Sequence, residues 1–202
     1  ARVVFKDGKV GFGKEDSALD KRAIENVFLK AGRNAVLDTD FKSLPAPAGK
    51  PAKNLFMDKA IAKLSDEKAI DKAYDCLGGA FDALARKKAE RNLNITGELN
   101  FLHARMAIAS TTGIKASDES TRALATLTTI LEGTPDLAGV GCDSGTHLKD
   151  LQSAKTGQTS AEKALAMGKP RSIESGEYRA VLGRLAVTDL LHSRFEVGLN
   201  AG

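Results

Sequence analysis

Apolar positions change their spacing several times along the chain. Over residues 2–12, short apolar runs (Val3-Val4-Phe5, then Val10 and Phe12) flank Asp7-Gly8. An Asp-Gly pair between such runs predicts a hairpin, because both residues tolerate the positive φ of a type I′ turn. From Leu19 to Ala31 the spacing lengthens: Leu19, Ala23, Val27 and Ala31 share one side, Ile24 and Phe28 lie beside them, and Gly32 offers a stop. Ala35-Val36-Leu37 predicts one more short strand. Residues 1–42 therefore read as a small β-β-α-β lobe.

Between residues 43 and 53 three prolines fall within seven positions, which prevents a regular helix and predicts a linker. Beyond it alanine, leucine and lysine dominate, and helices are predicted at 54–64, 66–91, 97–111 and 117–132. Ser65, Thr96 and Ser117 serve as N-caps, with Asp66, Glu67, Glu98, Asp118 and Glu119 in first turns where the helix dipole favours acids. Gly78-Gly79 offers a kink in the second of these helices. The glycine-rich stretch 133–146 predicts a loop with a short strand at 137–142, followed by short helices at 146–154 and 160–167. In the tail, Tyr178, Val181, Leu182 and Leu185 recur at helical spacing and predict a buried stripe. The fold class that follows is α+β, predominantly helical: a small β-containing N-terminal lobe, a Pro-rich link, and a helical portion over 54–202.

Composition narrows the function. With 30 basic and 26 acidic side chains well mixed, and a net charge of +4, the chain lacks the concentrated basic face expected of a nucleic-acid binder. No apolar run approaches the roughly 20 residues of a membrane span. The N-terminus has neither an initiator Met nor a signal-type apolar region and reads as a processed end. The two cysteines are far apart, with no metal-type spacing, and suit a reducing compartment.

Continuing the tail stripe by one turn reaches Asp189. A carboxylate buried there needs a partner, and His192, Ser193, Arg194 and Asn200 follow it closely. In order, Val3-Val4-Phe5-Lys6, the next helix with Glu25, the Gly141–Asp150 segment and Leu182–Leu191 resemble a lipid-kinase-like or actin-fragmin-kinase-like catalytic domain of bacterial-effector type. The resemblance implies ATP and Mg as cofactors, Lys6 as the phosphate-contacting lysine and Glu25 as its helix partner. It implies Asp189, His192 and Arg194 at the catalytic loop and Asn200 as a metal ligand. Ser193 stands where that pattern has an aspartate. Gly8, Gly11 and Gly13 read either as hairpin glycines or as a phosphate cradle, in which case Lys14 or Lys21 competes with Lys6.

The function so implied is a kinase-like nucleotide-binding domain, an ATP-dependent phosphotransferase. It would act on a host protein, in the cytoplasm or as a virulence effector secreted into the host cytosol. Two other classes stay open. The alanine-rich stretches at 104–112 and 124–131 suit a helical protein–protein interaction module without catalysis. Cys142, with His147 five positions on and His192 beyond, suits a cysteine-nucleophile enzyme, since a thiol needs a neighbouring base to become a thiolate.

Overall fold

A computed structural model describes residues 1–16, 20–49, 54–88, 92–168, 170–196 and 198. The chain divides into two compact units, one formed by Ala1–Lys50 with Ile108–Lys115, the other by Pro51–Ala107 with Ala116–Gly202.

In the first unit β1 (Arg2–Val4), β2 (Lys9–Phe12) and β3 (Val36–Leu37) form an antiparallel sheet in that order, with α1 (Lys21–Arg33) packed against β1 and β2. Val4 pairs with Val10, so the first hairpin has the three-residue loop Lys6-Asp7-Gly8 rather than a two-residue turn. Gly8 takes φ +83 at its end, a value that costs a Cβ-free residue nothing. Asp20 caps α1 by accepting from Ala23 N–H at 2.7 Å. The tip of a long hairpin, residues 108–115, also belongs to this unit. There the Thr112 hydroxyl donates to the Pro45 carbonyl at 2.7 Å.

The second unit is a two-helix layer on a sheet. α2 (Lys59–Ala62) and α3 (Asp66–Arg86) precede the strands β4 (Leu93–Ala109), β5 (Lys115–Leu131) and β6 (Leu137–Gly145), which pair antiparallel in the order β4-β5-β6. A 3-10 turn (Leu148–Asp150) leads to α4 (Ser153–Ala166). Beyond it α5 (Arg184–Leu191) runs into a single π turn (His192–Glu196). Ser65 caps α3 as its spacing predicts, accepting from Lys68 N–H at 3.4 Å.

From Thr121 onward burial along β5 alternates strictly: Thr121, Ala123, Ala125, Leu127, Thr129 and Leu131 face inward. Against them lie Cys76, Ala80, Ala83 and Leu84 of α3 and Ala161 and Ala164 of α4. The inward residues are small because the backbones approach closely. A Cβ on Gly157 of α4 would overlap the Cys76 carbonyl, and one on Gly79 would overlap the Ala154 carbonyl. Gly139 and Gly141 of β6 meet α4 in the same way. Gly79 therefore serves helix packing inside a continuous α3, not a kink.

The structure overturns the expectation of a predominantly helical chain. Helix and strand occupy about 36% and 28% of the described residues, and the stretches expected as helices at 97–111 and 117–132 are the two longest strands. Thr96 and Ser117 accordingly cap nothing. Alanines at 123 and 125 and the Leu-Met-Ala content of β4 favour helix in isolation. Tertiary pairing overrides that preference, because a strand with small inward residues lets two helices sit flat on it. The tail stripe fails too. Residues 177–183 are not helical, Val181 is fully exposed at 101%, and every residue from 170 to 194 is exposed.

Candidate functional site

In the second unit, one polar cluster joins four segments. Asp58 caps α2 through Oδ1, which accepts from Ala60 N–H at 2.8 Å, while Oδ2 accepts from Leu148 N–H at 2.8 Å. Its own N–H donates to the Thr121 hydroxyl at 2.8 Å. That hydroxyl in turn donates to the Thr146 carbonyl at 2.8 Å. Thr121 N–H closes the loop on the Phe56 carbonyl at 2.8 Å. His147 Nδ1 lies 3.0 Å from the Thr146 hydroxyl and 3.6 Å from Asp150 Oδ2. Asp143 Oδ2 accepts from Gln152 N–H at 2.8 Å, at the start of α4. The Leu148 N–H first, then Ala60 N–H and the nearby His147 and Lys149, hold the Asp58 carboxyl below its usual range against the opposing effect of burial.

A second cluster lies on the hairpin. Glu119 of β5 accepts from Arg105 Nε at 3.1 Å and sits 3.2 Å from His103 Nε2, both on β4. Asn54 donates to Asp118 Oδ1 at 2.6 Å and to the Glu119 carbonyl, tying the chain before α2 to β5. Among the described residues no group of three or more His, Cys, Asp or Glu side chains is placed to hold a metal ion.

The residues singled out from the sequence are placed differently from what the kinase resemblance implies. Lys6 is exposed in the first hairpin turn, not on a strand. Glu25 lies on α1 with Lys21 at 3.9 Å, one turn away. Gly11 and Gly13 are under α1, where added Cβ atoms would overlap the Ala31 and Val27 carbonyls, so they admit a helix. Asp189 is exposed on α5, and His192 and Arg194 stand in the exposed π turn that follows. Asn200 lies outside the described residues. Lys6, Gly11, Gly13 and Glu25 belong to the first unit, and Asp189, His192 and Arg194 to the second.

Cys142 and His147 face different partners. The thiol takes the Thr126 hydroxyl at 3.8 Å, while the imidazole turns to Thr146 and Asp150. Burial pushes the Cys76 thiol up, so the other cysteine resists becoming a thiolate. The stretches 104–112 and 124–131, expected to offer helical faces to a partner, lie largely in β4 and β5. Sequence reasoning missed Asp58, Thr121 and Glu119. Only Asp58 carried a usable signal, as an acid directly before Lys-Ala-Ile-Ala.

Residues 59–168, more than half of the chain, match the family described as PmbA/TldA metallopeptidase central domain. The chain belongs to that family. Solved structures agree on the fold. A candidate modulator of DNA gyrase from Bacteroides thetaiotaomicron superposes with TM-score 0.73 at 20% identity, over 94% of this chain and 44% of that one. A candidate gyrase modulator from Thermotoga maritima gives 0.65 at 18% identity, over 85% and 38%. TldE from Thermococcus kodakarensis gives 0.60 at 19% identity, over 81% and 36%. The chain thus spans less than half the length of each. No curated protein matches the sequence.

The family match and these structures overturn the lipid-kinase-like and actin-fragmin-kinase-like resemblance. The phosphotransferase, ATP-binding, effector and virulence readings built on it fall as well. ATP and Mg lose the argument that implied them. The helical interaction module and the cysteine-nucleophile enzyme find no support either. No described helix is long and apolar enough to cross a membrane.

Proposed function

We propose that this chain is the structural body of a metallopeptidase-like protein of the PmbA/TldA family, and that the catalytic metal is held by parts of the family fold outside residues 59–168. A hydrolytic metal centre needs about three converging protein ligands and one open position for water. What supports the reading is how the acids and imidazoles of the matched region, and Asp58 just before it, are used. Asp58 spends both carboxylate oxygens on backbone N–H groups, Asp143 holds the start of α4, His147 lies against Thr146, and Glu119 is shared by His103 and Arg105. These groups bracket loops and strands, and among the described residues no three His, Cys, Asp or Glu side chains are placed to converge on an ion.

Zinc titration by calorimetry, together with a peptidase assay on an unfolded protein substrate, tests this. The chain by itself should show no stoichiometric zinc site tighter than micromolar and no cleavage with added zinc. A single tight site that is lost on His147→Ala, or hydrolysis by the chain alone, would overturn it.

A further inference from the structure

In the order β4-β5-β6, β4 has a neighbour on one side only among the described residues. The hairpin is closed at its tip by Ser110 N–H on the Ile114 carbonyl and at its base by Glu132 N–H on the Asn92 carbonyl, each at 2.9 Å. The register is the same at both ends, so the strand carries no net bulge. Even-numbered residues of β4 bond to β5, and odd-numbered residues turn their N–H and C=O groups to the open edge. Edge strands are ordinarily blunted by proline, lysine or bulges. β4 contains neither proline nor lysine over its 17 residues. Near its middle the positions facing away from the helices are Leu102, Ala104 and Met106, with Leu102 and Met106 exposed at 53% and 62%.

We propose that β4 pairs antiparallel with β4 of a second copy, about a two-fold axis through Ala104. Only odd-numbered residues can bond across this edge, so the axis passes through a residue and not between two. Odd-numbered axes are disfavoured by what they oppose: Arg105 on Arg105, His103 on His103, Asn100 on Leu102 for an axis at 101, and an overlap of residues 105–109 alone for one at 107. At Ala104 the pattern is self-complementary. Leu102 meets the second copy's Met106 on both sides of the axis, and the bonds fall on the pairs Phe101–Ala107 and His103–Arg105. An axis at residue 102 instead sets Glu98 against Met106, and one at residue 100 sets Glu98 against Leu102. An axis at residue 106 keeps an apolar centre but shortens the overlap from residues 99–109 to residues 103–109.

Charge fits as well. Each Arg105 is already balanced by Glu119 at 3.1 Å, so bringing His103 opposite Arg105 introduces no uncompensated cation. The product joins two three-stranded sheets into one, with the helices of both copies on the same face.

Sedimentation at tens of micromolar, combined with directed disulfides in a Cys142→Ser background, tests the pairing. Opposed non-hydrogen-bonded residues lie about 4.5 Å apart at Cα, within disulfide reach. Ala104→Cys should therefore oxidise to a covalent dimer, whereas Asn94→Cys, far from the axis, should not. Met106→Lys, at an exposed position and checked for native circular dichroism, should weaken self-association at least tenfold. A wild-type chain that sediments only as monomer overturns the proposal. So does a dimer untouched by Met106→Lys, or cross-linking that fails to favour position 104 over 94.

Discussion

The helix pair of the second unit and the stretch from 170 to 194 invert the usual relation between side-chain size and burial. Between α3, α4 and the sheet the largest fully buried side chains are Thr129, Cys76 and Ser160. In the later stretch Ile173, Tyr178, Val181, Leu182, Leu190 and Leu191 are all exposed. Apolar content alone thus fails to say what is inside. Close backbone approach, which glycine, alanine and serine permit, decides it, and the density gained through many contacts replaces bulk.

Substitutions can break or sharpen this contrast. The largest effect belongs to Gly157→Val. Its branched side chain would have to occupy the space of the Cys76 carbonyl, and we expect a loss of roughly 4 kcal/mol or more in urea unfolding. Leu127→Ala removes one of the few large inward side chains of β5, exposed at only 4%, and should cost about 3 kcal/mol in the same measurement.

Asp58→Ala should cost about 2 kcal/mol at neutral pH, through the lost cap and the orphaned Leu148 N–H. Because the folded state lowers the Asp58 pKa, its contribution is complete above the ordinary carboxylate range and is lost as pH falls through the depressed value. The gap between wild type and variant should therefore narrow in acid, below about pH 4. The smallest effect is expected of Val181→Ser, under about 0.5 kcal/mol, since that side chain is fully exposed. A cost near that of Leu127→Ala would mean that the stretch is packed after all and would end the contrast.

How much of this was legible beforehand varies by element, for physical reasons. The opening hairpin, α1, β3 and the Ser65 cap follow from local turn chemistry and spacing, which act over a few residues. β5 was legible in principle. Its Thr-x-Ala-x-Ala-x-Leu-x-Thr-x-Leu alternation has period two, yet the alanines argue for helix and hide it. β4 was harder. Leu102, Met106 and Ile108 make its open face as apolar as the covered one, which erases the alternation. The tail misled in the opposite sense, since helical spacing at 178, 181, 182 and 185 marks a face without saying that anything lies on it.

The polar clusters could not be read at all. Asp58 and Leu148 are ninety positions apart, and only the folded chain brings them together. The joint order of Lys6, Glu25 and Asp189 looked like a motif, but each stands in its own exposed local setting.

The sealed position of Cys76 carries a practical consequence. Its sulfur is wholly inaccessible between α3 and α4, whereas Cys142 is partly accessible on the sheet. A thiol-specific reagent should therefore modify Cys142 at a rate set by reagent concentration, and Cys76 only as often as the two helices separate. The molecule carries its own clock for that event, with a reference signal in the same polypeptide.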